Sequence, residues 1–246
     1  MAGHSKWSNI KHRKAKADAQ KGKIFAKVAR EIIVAVKHGG ADPESNFALR
    51  MALDKARNYN IPNENIKRAI QRGLGASDGD NYEEFTYEGY GPGGVAVMLD
   101  LLSDNRNRTA ADIRHLFSKH GGNLGESGSV AYLFDKKGLI VIDREQESRS
   151  EDEMMLLALE AGAEDIQVEE DSFEIVTDPS QLESVRNFFA EQDIAIASAE
   201  VSMIPQTTVS VEGEVAEKVL KLLEALEDHD DVQNVYTNAD LPDEEA

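Results

Sequence analysis

The sequence predicts an α+β protein: a small N-terminal three-helix domain and two ferredoxin-like α/β domains, one inserted in the other. Three observations carry this. Ile24, Val28, Ile32 and Val36 recur every four residues, as on one face of a helix. From Val95 onward, strand and helix patterns alternate. A complete βαββαβ order lies between two incomplete βαβ segments.

Residues 1–23 read as a basic arm. Seven Lys/Arg (Lys6, Lys11, Arg13, Lys14, Lys16, Lys21 and Lys23) are opposed only by Asp18, and Trp7 and Ile10 are the largest apolar side chains. No helical period supports a packed face, so the arm is expected to be flexible when free.

The helical domain spans residues 24–75. Phe25, Ala29 and Ile33 widen the first apolar stripe, and Gly39-Gly40 stops the helix. Asp42-Pro43 reads as the cap and first residue of a second helix bearing Leu49, Leu53 and Ala56. Pro62 opens a third, with Ile66 and Ile70 inward and Gly73 at its end. Residues 75–81 are a linker by composition.

The split ferredoxin-like domain is expected over 76–134 and 206–238. Val95–Leu102 is a continuous apolar run suited to a buried strand. Thr109-Ala-Ala-Asp112 reads as a capping box ahead of Ile113, Leu116 and Phe117. Ser129–Phe134 reads as a strand. After the insertion come Thr207–Val211, a helix through Val215, Val219, Leu222, Leu223 and Leu226, and a strand over Val232–Thr237.

The insertion spans 135–205. Gly138–Asp143 is its first strand, and Ser150-Glu-Asp-Glu153 caps a helix bearing Met154, Leu157 and Ala158. Ile166–Glu169 and Phe173–Thr177 form a hairpin. Asp178-Pro179 starts a helix through Leu182, Val185 and Phe189, and Ala195–Met203 closes the unit. Residues 239–246 are an acidic tail, expected to fray.

Composition narrows the function. The 246 residues are 41% hydrophobic, enough for a core, and contain no cysteine, which excludes disulfides and thiolate metal sites. No stretch approaches the roughly 18 apolar residues of a membrane span, so a soluble cytoplasmic protein is expected. The net charge of −19 hides a division. Residues 1–75 hold 16 Lys+Arg against 6 Asp+Glu, whereas residues 76–246 hold 11 against 40. Such segregation points to a polyanion partner for the basic end. Cations at that density gain affinity by releasing counterions from phosphates, with little reading of sequence.

Several motifs invite other readings. Gly89-Tyr-Gly-Pro-Gly-Gly94 matches G-x-G-x-x-G, but a strand follows it instead of a helix and Pro92 occupies the turn. It reads either as a structural turn or as a surface loop presenting Tyr87 and Tyr90 to stack on bases. Arg106 and Arg108 precede a predicted helix start, where free N–H groups favour anions; ordinary salt bridging is the alternative. His115 and His120 are poorly spaced for a metal. Ser103-Asp-Asn105 and Ser8-Asn-Ile-Lys11 resemble pieces of the penicillin-recognising serine enzymes, but the third element, Lys-Thr-Gly, is absent and the Lys-bearing piece lies in the basic arm.

These residues also carry a resemblance. MAGHSKW, Ile10-Lys-His-Arg-Lys14, Lys21-Gly-Lys23, Tyr87-Glu-Gly-Tyr-Gly-Pro-Gly-Gly94, Ser103-Asp-Asn-Arg-Asn-Arg-Thr109, Gly121-Gly-Asn-Leu-Gly125, Gly128-Ser-Val130 and Ser202-Met-Ile-Pro205 resemble the YebC family over nearly the whole chain. The resemblance implies a helical domain and two α/β domains, with no enzymatic activity. It implies a DNA-binding transcriptional regulator. Through relatives such as a mitochondrial translational activator of cytochrome c oxidase subunit I, it also implies a second reading. That reading is a ribosome-associated factor that binds ribosomal RNA and relieves stalling at proline-rich stretches, with ribosomal proteins as further partners.

The residues expected to bind nucleic acid are therefore Lys6, Trp7, Lys11, His12, Arg13, Lys14, Lys16, Lys21 and Lys23 of the arm. Lys67, Arg68 and Arg72 of the third helix, Tyr87 and Tyr90, and Arg106 and Arg108 complete the set. No catalytic residue, metal, cofactor, small-molecule substrate or membrane is expected.

Overall fold

A computed structural model describes residues 21–75 and 81–242. They form two compact units, one within residues 1–133 and 205–246 and the other within 134–204.

The first unit opens with helix α1 (Lys21–Gly39). The helix thus begins inside the segment expected to be a flexible arm. Its apolar stripe buries Val28, Ile32, Ile33 and Val36 against Leu49, Ala52, Leu53, Ala56 and Ala69. Helix α2 is Phe47–Asn58, and its cap is Asn46 rather than Asp42-Pro43. Asp42 instead accepts from the Glu44 N–H in a tight turn. Asn46 is better placed for both helices. Its Nδ2 donates to the carbonyls of Ala35 and Gly40, and its Oδ1 accepts from the Leu49 N–H. One amide therefore closes the end of α1 and opens α2. Helix α3 is Asn63–Gly73.

The sheet of this unit contains β1 (Glu83–Tyr90), β2 (Ala96–Ser103), β3 (Asn123–Leu124) and β9 (Val232–Thr237), in the order β3-β1-β2-β9. All three pairings are antiparallel. Helices α4 (Arg106–Lys119) and α7 (Gly213–Glu227) pack on one face. Ile113 and Phe117 of α4 meet Val219, Leu222, Leu223 and Leu226 of α7 over Val97, Leu99 and Val235. Burying each such side chain is worth about 1.5–3 kcal/mol. The turn between β1 and β2 places Gly93 and Gly94 at φ +73° and +78°, which only glycine adopts at little cost.

Four elements of this unit differ from the sequence reading. β1 replaces the expected Tyr87–Gly94 loop up to Tyr90. Helix α4 starts three residues before the predicted capping box, with Asn105 as cap. Residues 131–133 form a single 3-10 turn rather than part of a Ser129–Phe134 strand. Thr207–Val211 shrinks to β8 (Val209–Ser210), paired in parallel with β10 (Ala239–Asp240). Ala239 and Leu241 are buried, so the expected frayed tail contributes core up to Leu241.

The second unit runs through β4 (Phe134–Asp143), α5 (Glu151–Ala161), β5 (Asp165–Val168), β6 (Ser172–Thr177), α6 (Leu182–Glu191) and β7 (Ser198–Pro205), whose last residue passes into the first unit. Its strand order, β5-β6-β4-β7, is the ferredoxin-like one. The capping box at Ser150 and Glu153 forms as the sequence requires, with each side chain bonded to the other's backbone N–H.

Candidate nucleic-acid interface

Lys67, Arg68 and Arg72 are exposed on α3. The opposite side of this helix is fixed tightly. A Cβ added at Gly73 would lie 2.6 Å from Val36 Cβ and 2.9 Å from the Ile33 carbonyl oxygen. Glycine thus lets α3 approach the backbone of α1, and Ala69 fills the next turn. The packing holds the three cations outward on a rigid element. Glu64 is the one acid in the first turn, where the helix dipole favours it.

Other cations of the basic end are turned to a different use. Lys23, Lys27 and Arg30 follow at helical spacing on α1 and reach the turn between α7 and β9. Lys23 Nζ donates to the Asp228 carbonyl at 3.4 Å and lies 3.7 Å from its carboxylate. Lys27 donates to the Glu227 carbonyl. Arg30 donates to the Asp230 carbonyl and to Asp231 Oδ1, the latter at 3.0 Å. The Glu227 and Asp228 carbonyls end α7, where cations are favoured. Lys23, expected in the phosphate-gripping arm, is half-exposed and reaches from α1 to the C-terminal end of α7.

Asp231 is the hub of this contact. Its Oδ2 accepts from Thr109 Oγ1 at 2.7 Å, Ser103 Oγ at 3.1 Å and Arg108 at 3.3 Å. Burial alone would raise its pKa. The bonds from Thr109, Arg108 and Ser103, with the charge of Arg30, outweigh burial and hold it below the ordinary Asp value. The Ser103–Thr109 segment is therefore built largely around an internal anion.

Arg106 and Arg108 separate here. Arg108 pairs with Asp104 at 2.9 Å as well as with Asp231, so its guanidinium already serves the fold. Arg106 lies in the first turn of α4, exposed, with its guanidinium 4.9 Å from the Phe85 ring centroid. It has no ion pair among the described residues.

Tyr87 and Tyr90 are not presented together by a loop. They lie three residues apart on β1 and so point to opposite faces. Tyr87 packs at the edge of the sheet core beside Phe85, and its hydroxyl donates to the Arg106 carbonyl at 3.4 Å. The Tyr90 hydroxyl donates to the Ser129 carbonyl at 2.9 Å. Beside it, the buried Glu88 carboxylate accepts from the backbone N–H groups of Gly128, Val130 and Ala131, each at 2.7 Å. Burial would raise the Glu88 pKa, but these three donors lower it overall. The Gly128–Ala131 segment is thus folded round a buried anion.

Sequence reasoning missed Asp231 and Glu88. No local signal marked them, because Glu88 shares its strand with Glu83 and Glu84 and Asp231 ends the acidic run Glu227-Asp-His-Asp-Asp231. Lys6, Trp7, Lys11, His12, Arg13, Lys14 and Lys16 lie outside the described residues. Lys21 starts α1. Among the described residues, no three His, Asp or Glu side chains gather to hold a metal ion, and no helix is long and apolar enough to cross a membrane.

The described residues thus form a basic helical bundle fastened to a split α/β sheet, with a ferredoxin-like insertion. Residues 5–76 match the family described as TACO1/YebC protein N-terminal domain, and residues 82–239 match TACO1/YebC second and third domain. The chain belongs to the TACO1/YebC family. It is 58% identical to a probable transcriptional regulatory protein of Desulforamulus reducens, over 97% of this chain and 98% of that one. It is 59% identical to a protein of the same description from Natranaerobius thermophilus, over 99% and 98%. A conserved hypothetical protein from Aquifex aeolicus, solved by crystallography, superposes with a TM-score of 0.86 at 48% identity, covering 94% of each chain.

Proposed function

We propose that this protein is a nucleic-acid-binding regulator of gene expression, acting on DNA through its basic end. The observation that carries this is the cationic face of α3, held rigid by the close approach at Gly73. The relatives' description as transcriptional regulators supports it. Lys67, Arg68 and Arg72 contact phosphates, together with Lys6, Lys11, Arg13, Lys14 and Lys16 of the arm. Trp7 and His12 add stacking. Arg106, at a helix N-terminus, grips a further phosphate. Such a regulator acts by occupancy and needs no reacting group.

The charge division favours a second reading, a factor bound to ribosomal RNA. The acidic body is repelled by bare nucleic acid and attracted to basic ribosomal proteins. Titration of labelled duplex DNA and of a ribosomal RNA fragment, each across a salt series, tests both. Lys67→Glu/Arg68→Glu/Arg72→Glu is expected to weaken binding and to flatten the salt slope by about 3, roughly one for each phosphate no longer neutralised. An unchanged slope overturns the role of α3. Crosslinking in cells, with DNA and RNA partners both sequenced, decides between the readings.

A further inference from the structure

Helix α5 of the inserted unit has an apolar face that nothing in its own unit covers. Its inner side buries Met154 and Ala158. On the outer side Met155, Leu156 and Leu159 are 49%, 67% and 76% exposed. Three of the six exposed large hydrophobic side chains among the described residues thus fall within five positions of one helix. Single exposed apolar residues are ordinary, whereas a cluster marks a contact surface. A surface helix normally carries polar residues on its outer face, so α5 is patterned for two partners, and its own unit supplies one.

The rim says what the second partner is. Asp152 and Glu160 lie on the same outer stripe, one turn to either side of Met155, Leu156 and Leu159. Both are exposed. Glu151 pairs with Arg144, and Glu153 is used in the cap. Asp152 and Glu160, by contrast, have no ion pair among the described residues. Residues 134–204 carry 19 Asp+Glu against 5 Lys+Arg. Such a surface repels nucleic acid. It also disfavours a second copy, which would set the same carboxylates against each other.

We infer that α5 is a docking site for a basic amphipathic helix of a protein partner. The apolar side chains of that helix cover Met155, Leu156 and Leu159, and its Lys or Arg residues flank them opposite Asp152 and Glu160. This geometry is that of two helices packed along their apolar stripes with complementary charged edges. It is independent of how the basic end binds nucleic acid.

The test uses the full chain and two synthetic 18-residue helical peptides. Both carry leucines at helical spacing, one flanked by lysines and the other by glutamates. Fluorescence anisotropy reads binding, and amide chemical shifts locate it. The lysine peptide is expected to bind with shifts centred on residues 151–161, and the glutamate peptide not to bind. Leu156→Ser/Leu159→Ser and Asp152→Lys/Glu160→Lys are each expected to weaken binding at least tenfold. These side chains are exposed, so an unchanged melting temperature confirms an intact fold. The charge variant alone still decides the matter if the serine variant unfolds. No binding, shifts elsewhere, or affinity unaffected by either variant overturns the proposal. So does a concentration-dependent dimer that the serine variant abolishes, which would make the occupant a second copy.

Discussion

The Arg30 guanidinium of α1 lies 3.0 Å from Asp231 Oδ1, across 201 residues of sequence. The other carboxylate oxygen of Asp231 is already held by Ser103, Thr109 and Arg108. One acid therefore joins the helical bundle, the start of α4 and the end of β2.

Removing that acid takes the shared acceptor from all four donors, although Arg108 keeps Asp104 and Arg30 keeps the Asp230 carbonyl. Asp231→Ala is expected to cost about 3 kcal/mol, the scale for breaking a buried pair from one side. Calorimetry should show the transition of the split-sheet unit lowered by roughly 6–12 °C, with the insertion's transition unmoved. Arg30→Met, at a partly exposed site, should cost only about 1 kcal/mol. Equal losses for the two would remove Asp231 from its place as hub.

Acid sensitivity follows from the same chemistry. Asp231 and Glu88 both have folded pKa values below their ordinary ones. Their contribution to stability is whole above about pH 4, near the unfolded values, and is lost as pH falls through the folded values. The urea midpoint should therefore fall steeply below about pH 4. Asp231→Asn should start lower at neutral pH and fall less on acidification; parallel curves for variant and parent would refute the link.

Glu88→Gln should loosen the loop that the carboxylate organises. The amide keeps one acceptor oxygen but turns an NH2 toward backbone donors, at a cost of about 2 kcal/mol. Hydrogen exchange at Gly128, Val130 and Ala131 should accelerate well beyond that of β2. Uniform acceleration across the unit would mean that global stability, and not the loop, depends on Glu88.

Gly73→Ala tests the close approach that supports the cationic helix. Alanine is the better helix former by about 1 kcal/mol, yet its Cβ would collide with Val36 and the Ile33 carbonyl. A net loss of about 1–2 kcal/mol is expected. Val36→Ala should recover part of it in a double-mutant cycle. A stabilised Gly73→Ala protein would show that α3 sits farther from α1.

The elements most legible in the sequence are those with a long, uninterrupted period. The α1 stripe, the Val95–Leu102 run and the Ser150 capping box all fall where their patterns place them. β1 is not legible, because Glu88 and Gly89 break its alternation and their reasons lie elsewhere. Glu88 is answered by a loop 40 residues on, and a side chain at Gly89 would strike Phe117. The start of α4 is obscured for a similar cause. Thr109 looks like a cap, but its hydroxyl is committed to Asp231, leaving Asn105 to cap four residues earlier. In the candidate interface, charge density points to Lys23 and Arg108. It cannot reveal that acids more than 100 residues away engage them.

The split sheet has a consequence for how the chain is made. Strand β2 waits for β9, which the ribosome delivers only after the whole insertion. The growing polypeptide completes residues 134–204 while the outer edge of β2 is still an open ladder of backbone donors and acceptors. Synthesis therefore inverts the usual rule that the earlier domain folds first. The enclosed unit can mature on the nascent chain, whereas its host must remain unfinished until translation has passed Leu241.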